Sequence, residues 1–559
     1  MQESILDPRS EPDNNRLAGF LPRKPNKWHY TSGALALLVA VPLLVVFSGW
    51  LKPETEIWSH LADTILDQLV INTIKLVVGV GIGVVILGVS LAWLTARCEF
   101  PGRKWFDWLL MLPMAMPAYV LAFVAIGLLD FSGPVQTALR TWAGTSNIWF
   151  PEIRSTGGLI TVMVIAFYPY VYMMARTAFI TQGRSTLEAA RMLGAGSYGV
   201  FWRIALPMAR PAIAAGTTLA LMETLADFGT VATFNYDTFT TAIYQAWFGF
   251  FSLQAASQLA SILLLLVFVS LMLEKSSRSK SKYHDSMRSG EPPRLHLSGW
   301  RGWTVSGLLA LLFLIAFLAP FIQLCLWSIE VITTDFDERY LGLLGHTLLL
   351  GALAATVTVI AGMVLGFARR FQPDRTTLVT TSLATLGYAL PGSVLAVGIM
   401  VAASGFDNGI NNLFESIGLD MPGQILGGSL LALVLAYVIR FMAVAFGPIE
   451  TVLSRIRPSL PEAARSLGAT SSQTLKAIYL PLLRPGLMTG LLLVMVDTMK
   501  EMPATLLMRP FGWDTLAVRI YEMTSEGEWE RAALPAITLV FAGLIPVVLL
   551  TRRSLKRLK

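Results

Sequence analysis

Cysteine and charge are both scarce in this chain. Only Cys98 and Cys325 occur among 559 residues, in no CxxC or other ligand spacing. Neither a disulfide framework nor a thiolate metal site is therefore written into the sequence. Charged residues make up 14% of the chain, against roughly 25% in an ordinary soluble protein. That excludes a water-bathed globule of this length. The dipeptide Gly-Lys never occurs, so the GxxxxGK[ST] phosphate loop is missing. Without that cradle and its lysine, the usual way of binding ATP is excluded. HExxH and GxSxG are absent too. The five histidines, His29, His60, His284, His296 and His346, are scattered and read as loop or interface residues. The polar first 30 residues lack a short apolar core with a small-residue cleavage site, so the first apolar span is expected to remain as an anchor.

What is abundant is hydrophobic length. Apolar residues make up 54% of the chain, and runs long enough to cross a bilayer recur. Twelve are read near 32–50, 70–95, 108–129, 157–180, 212–235, 255–273, 302–328, 345–368, 378–402, 427–449, 486–508 and 532–550. Gly and Pro within them are tolerated in membrane helices. The fold class expected is an all-α polytopic membrane protein. The net charge of +7 is not spread evenly. Arg23, Lys24 and Lys27 precede the first span, Arg97, Arg103 and Lys104 follow the second, and Lys275, Arg278, Lys280, Lys282 and Arg288 follow the sixth. Arg552, Arg553, Lys556, Arg557 and Lys559 end the chain, whereas 236–252 and 403–425 have no Lys or Arg. Basic residues in alternate loops give the positive-inside pattern with both termini cytoplasmic, and the basic excess reports topology rather than nucleic-acid binding.

The chain also repeats itself. Residues 188–207 read EAARMLGAGSYGVFWRIALP and 462–481 read EAARSLGATSSQTLKAIYLP, 274 positions apart. At that one offset Thr73, Gly88, Leu91 and Pro117 match Thr347, Gly362, Leu365 and Pro391. Ser185, Arg191, Leu193, Arg210, Pro211 and Gly216 likewise match Ser459, Arg465, Leu467, Arg484, Pro485 and Gly490. Chance similarity between apolar helices does not explain the polar matches. The expected organisation is a first half over 1–273, a polar basic Pro-Pro linker over 274–300 and a second half over 301–559. Six spans in each half return the chain to the same side, so the halves should be parallel repeats about a pseudo-two-fold axis along the membrane normal.

Each repeated loop opens with Ser-x-x-Glu, Ser185 with Glu188 and Ser459 with Glu462. That spacing predicts a capping box and a short helix. Pro461 falls in its first turn, where a missing N–H costs little. The alanines Ala189, Ala190, Ala463 and Ala464 let another surface approach closely. Gly194 and Gly468 suit a turn between two short helices. Ile-x-Leu-Pro, ending at Pro207 and Pro481, is expected to lead back to the bilayer and stop the helix. The plainer alternative is an amphipathic loop lying on the membrane surface, with the Glu only a capping residue.

This pattern resembles the EAA loop of ATP-binding-cassette importer permeases. The resemblance covers nearly the whole chain and implies a fused permease pair, similar to type I importers, with EAA loops at 185–210 and 459–484. It implies that Glu188, Ala189, Ala190, Gly194, Glu462, Ala463, Ala464 and Gly468 form coupling helices. These would dock on two copies of a cytoplasmic ATP-binding subunit, which use ATP and Mg. A periplasmic binding protein would deliver the solute. No cofactor is expected on this chain, and it is not expected to be an enzyme.

After each loop comes a span with charge: Glu223 and Asp227 in the first half, Asp497, Lys500 and Glu501 in the second. Glu223 aligns with Asp497 and Asp227 with Glu501, and acids four apart share a helical face. A charge at the bilayer centre costs on the order of 3 kcal/mol, so these groups should face the bundle interior or a wet cavity. One reading is a carboxylate-lined translocation pathway suited to a hard cation. The other is structural, with Lys500 paired to an acid. The segments from Asp227 and from Lys500 resemble ferric-iron importer permeases, with thiamine permeases, which share the twelve-span plan, the nearest alternative. An ion-coupled secondary transporter would also show intramembrane acids and parallel repeats. It would work without an ATPase. A receptor or scaffold that transports nothing would tolerate loss of the midplane acids.

Overall fold

The computed structural model describes residues 26–51, 55–182, 192, 196–279 and 294–557. Helices dominate, and twelve are long and apolar enough to cross a membrane. They are α1 (Lys27–Trp50), α2 (Leu66–Arg97), α3 (Ala118–Ala143), α4 (Thr156–Thr181), α5 (Tyr198–Ala226) and α6 (Leu253–Met272). The second set is α7 (Trp300–Asp335), α8 (Glu338–Phe371), α9 (Gly392–Ser416), α10 (Leu430–Leu453), α11 (Ser471–Lys500) and α12 (Trp529–Val548). Among the described residues the only strands are Cys98–Glu99 and Leu295–His296, paired in parallel. The end of the linker is thus laid on the end of α2.

The chain forms two compact units. One comprises Ala352–Tyr388, Tyr437–Val494 and the described part of Met1–Val41; the other comprises Pro42–Gly351, Ala389–Ala436 and Met495–Lys559. In the first unit α1 is fixed at its start. His29 Nε2 meets Asp374 Oδ2 at 2.5 Å, and Asp374 also accepts the Thr377 amide at the head of the Arg375–Ala384 helix. In the second, Asp107 holds two cations, Arg103 at 3.3 Å and Arg176 at 3.0 Å, just beyond α2. Burial is the largest influence on the Asp107 carboxyl and pushes its pKa up; the two arginines pull the other way.

The 274-residue offset reappears as backbone geometry. Single 3-10 turns occupy Leu112–Ala115 and Leu386–Ala389, and Pro117 and Pro391 then stand at the N-caps of the next helices. π-turns occupy Phe201–Ala205 and Leu475–Tyr479, and unbroken helices follow over Leu206–Ala226 and Leu480–Lys500. The matched glycines are close approaches between helices. A Cβ on Gly88 would lie 2.7 Å from the Val171 side chain, and one on Gly216 would lie 2.8 Å from Val171 Cα. In the other unit Gly362 and Gly490 meet Ala445, at 3.3 Å in both cases. Val171 and Ala445 are themselves 274 apart. The same crossing of three helices is therefore built twice.

Three sequence expectations need correction. Pro207 and Pro481 do not stop a helix. A proline lacks the N–H and crowds the carbonyl four residues back, and the π-turn just before each proline absorbs that misfit while the helix runs on. The apolar runs at 108–129 and 378–402 are interrupted at Pro117 and Pro391, so α3 and α9 begin later than hydropathy indicates. The runs at 212–235 and 486–508 end as spans at Ala226 and Lys500, because the following acids turn the chain.

Candidate functional site

The second repeated loop is a helix–turn–helix. Ser459–Ser466 is helical, and Gly468 has φ +86°. The Ala469 amide donates to Ala464 O at 3.0 Å and the Gly468 amide to Arg465 O at 2.9 Å. These two bonds define a Schellman closure with glycine at the left-handed position. Nothing lies within 4 Å of the place a Gly468 Cβ would take, so glycine is required there by backbone conformation and not by crowding. The expected Ser459–Glu462 capping box does not form. Pro458 already has helical φ and ψ at the N-cap, which puts Ser459 inside the first turn, and no side chain caps this end. The capping box forms instead at Thr470 and Gln473, at the start of α11. Thr-x-x-Gln has capping-box spacing in the sequence as well.

Glu462, Ala463 and Gly468 are exposed and Ala464 is half-buried, while Pro461 is buried beneath them. Leu460 and Leu467 are 47% and 88% exposed. The helix therefore presents apolar and acidic groups outward from a proline anchor. In the first loop Glu188, Ala189, Ala190 and Gly194 lie outside the described residues.

Two of the intramembrane acids, Asp227 and Glu501, hold the same kind of helix break. Asp227 ends the helix of α5 in an extended conformation. Its Oδ1 accepts the Thr230 amide at 2.7 Å and the Val231 amide at 3.4 Å, and its Oδ2 accepts Thr230 Oγ1 at 2.8 Å. Thr230 and Val231 open the short helix Gly229–Thr233. Glu501 repeats the arrangement after α11. It accepts the Ala504 and Thr505 amides, both at 3.0 Å, and Thr505 Oγ1 at 2.8 Å. Those residues open Pro503–Met508. Each acid thus satisfies amides that a break in apolar surroundings would otherwise leave unpaired. Discontinuous membrane helices of this kind are a recurrent way to place backbone and charge at a solute path.

The remaining charges differ. Lys500 Nζ donates to Met114 O at 3.3 Å and packs against Gly543, whose Cβ position would be 2.6 Å from it. Asp497 is the acid that acts on it electrostatically. Glu223 is half-buried and in electrostatic reach of Asp227. The two breaks also touch. A Cβ on Gly229 would lie 2.5 Å from Met502 Cε and 2.7 Å from Tyr119 Cβ. Tyr119 escaped the sequence reading because an aromatic beside a helix-starting proline looks like ordinary packing. Among the described residues no group of three His, Cys, Asp or Glu side chains is arranged to hold a metal ion.

Twelve spans, internal duplication and paired helix breaks define an integral membrane transport component. Residues 85–276 and 358–558 each match the family described as binding-protein-dependent transport system inner membrane component. The chain belongs to that family and carries its domain twice. It is 26% identical over 547 residues to the Fe(3+)-transport system permease protein FbpB 2 of Haemophilus influenzae, covering 96% of this chain and all of the relative. It is 23% identical to the ferric transport system permease protein FbpB of Actinobacillus pleuropneumoniae, over 92% of this chain and 74% of the relative. The molybdenum transport system permease protein ModB of Escherichia coli is 32% identical over 147 residues, 26% of this chain and 62% of that protein.

Proposed function

We propose that this chain is the fused permease of an ATP-binding-cassette importer for ferric iron. The observation that carries the substrate is coverage. Relatives named for ferric transport align with 86% to 96% of the chain, whereas those named for molybdenum or sulfate align with 26% to 36%. The two repeated loops are the coupling elements, with Glu462, Ala463, Ala464 and Gly468 in one and Glu188, Ala189, Ala190 and Gly194 in the other. Each docks on one copy of a cytoplasmic ATPase subunit. A binding protein on the outer side delivers the cargo, and both termini of the chain lie in the cytoplasm.

In this reading ATP binding draws the two ATPase subunits together and moves both loops. The protein then shifts between two states that differ in which side the path opens to. Glu223, Asp227, Asp497, Lys500 and Glu501 belong to that path or to its gate. Asp227 and Glu501 act there chiefly by holding the helix breaks, because their oxygens already serve helix amides. The exposed, proline-anchored helix at Ser459–Ser466 supports the docking role, since its acid and its leucines lack cover from its own unit.

The test is uptake of labelled ferric iron against labelled thiamine in cells expressing the chain with its own binding protein and ATPase. Iron uptake that vanishes with an ATPase-inactive partner is expected. Thiamine uptake in its place removes the substrate. Uptake driven by an ion gradient in vesicles lacking any ATPase removes the mechanism.

A further inference from the structure

The two sequence halves build one joint in different ways. In the second, α8 is tied to the start of the Leu516–Ser525 helix by two adjacent side chains. His346 Nδ1 meets Asp514 O at 3.3 Å, and Thr347 Oγ1 accepts the Leu516 amide at 2.9 Å while donating to Leu343 O at 2.7 Å. In the first, Asn72 and Thr73 stand at the equivalent places on α2, and Phe239–Phe248 is the equivalent helix. The Asn72 side chain donates to Asp237 O at 3.0 Å. Thr73 does not complete the pair: it is 5% exposed, and its hydroxyl is buried without a hydrogen-bond partner. It lines instead a cavity with about 10 Å³ open to the centre of a water molecule, room for about one. Phe239, the counterpart of Leu516, lines the same space with Thr224, Thr238, Thr240 and Leu263.

We propose that this cavity is the site of one water molecule, which joins Thr73 to the Thr238–Thr240 turn and completes in the first half the joint that Thr347 makes directly in the second. The donor count fits. Thr224 Oγ1 donates to Ala220 O and Thr240 Oγ1 to Asp227 O, both at 2.8 Å. The Thr238 and Thr240 hydroxyls lie 2.9 Å apart. The single Thr240 proton is already spent, so Thr238 is the donor between them. Three of the four lining hydroxyls have thus used their protons and keep only acceptor capacity. Thr73 keeps its proton. A water accepts from Thr73 and gives its own hydrogens to hydroxyls that can only accept. Among the described residues no carboxylate lines the space, so a cation there would be buried without a countercharge. The inference is independent of the cargo.

The experiment uses the full chain in nanodiscs and X-ray pulses that turn water into hydroxyl radicals, with side-chain oxidation read by mass spectrometry. A buried side chain is oxidised only where a water touches it. Phe239 and Leu263 are 0% and 1% exposed, and Leu516, at 0%, is the dry control. In wild type Phe239 and Leu263 should be oxidised well above Leu516. Thr73→Val removes the one donor the water accepts from, so their oxidation should fall about fivefold, while Thr73→Ser and Thr347→Val should retain it. Thermal midpoints supply a second sign. A hydroxyl with no partner at all is replaced by valine at no loss or at a gain, whereas loss of a bridging water should lower the midpoint. Oxidation of Phe239 and Leu263 no greater than that of Leu516 in wild type overturns the proposal, and so does oxidation unchanged in Thr73→Val or a midpoint that holds or rises. Oxidation that changes when sodium is exchanged for N-methylglucamine makes the occupant a cation and also overturns it. Should Thr73→Val fail to fold, wild type and Thr73→Ser decide: loss of oxidation in serine, which keeps the donor, counts against the site.

Discussion

Gly468 offers a test in which handedness and size can be separated. Its φ of +86° is left-handed, and its surroundings are open to 4 Å. Any penalty from substitution is therefore backbone strain. For a residue with a Cβ that strain is about 1–2 kcal/mol; asparagine is the mildest and a β-branched residue the worst. The turn is exposed and its own unit does not force it shut. The strain is then relieved by opening the Schellman closure, and only the closed fraction can dock. Apparent affinity falls in proportion to that fraction, and about 1–2 kcal/mol corresponds to roughly 5- to 30-fold. The expected order of affinity for the ATPase subunit is glycine, asparagine, alanine, valine, measured by surface-immobilised permease in nanodiscs against a titrated ATPase. Thermal unfolding of the permease should move little across the series. Valine binding as tightly as glycine would refute the reasoning, and so would a loss that follows side-chain volume with asparagine worse than alanine.

Four further outcomes follow from the same geometry. Glu501→Ala leaves the Ala504 and Thr505 amides without their side-chain acceptor, while Thr505 Oγ1 keeps the Glu501 carbonyl; at about 1–3 kcal/mol for each buried donor, it should lower expression or thermal midpoint far more than Glu501→Gln, which retains an amide oxygen. Gly216→Ala should destabilise by about 1–3 kcal/mol through overpacking, because its Cβ meets backbone at 2.8 Å, while Gly490→Ala, at 3.3 Å, should be milder in a paired thermal-unfolding comparison. Burial pushes the Cys98 thiol up to about 11, so in a Cys325→Ser background N-ethylmaleimide at pH 7.5 should label the protein only after denaturation. At Asp374, burial works to raise the pKa, but the Thr377 amide and His29 outweigh it and hold it below the ordinary value; a depressed carboxylate stabilises above its unfolded pKa of about 3.9 and loses that as pH falls, so wild type should exceed Asp374→Asn in thermal midpoint at pH 5–7 and converge with it in acid.

The sequence carried the span count and the duplication well, because both rest on signals summed over many residues. It carried less about where spans end. Hydropathy averages across Pro117, Pro391, Asp227 and Glu501, although each changes the backbone path within one or two residues. Asp227 followed by Thr230 and Glu501 followed by Thr505 have the spacing of side chains that serve a helix start. Within an apolar run they read as buried charge, and the local role is missed. The Ile-x-Leu-Pro expectation failed for a related reason. Proline is a helix breaker by propensity, but in a membrane a broken helix exposes unpaired amides, and widening one turn is the cheaper accommodation. Gly468 was legible because its demand is conformational and independent of its neighbours.

The internal repeat allows a last separation. Several positions that match across the 274-residue offset carry a glycine or a proline: Gly88 with Gly362, Gly216 with Gly490, Pro117 with Pro391 and Pro207 with Pro481. Positions that differ lie where the backbone is satisfied by many side chains: Tyr119 against Ser393, Ala226 against Lys500 and Glu223 against Asp497. Two subunits of one identical chain could not differ there, because a substitution in one would appear in both. A fused chain can hold one phenol and one ammonium near paired carboxylates. The single-copy groups at the helix breaks are therefore the places where the two halves are free to differ.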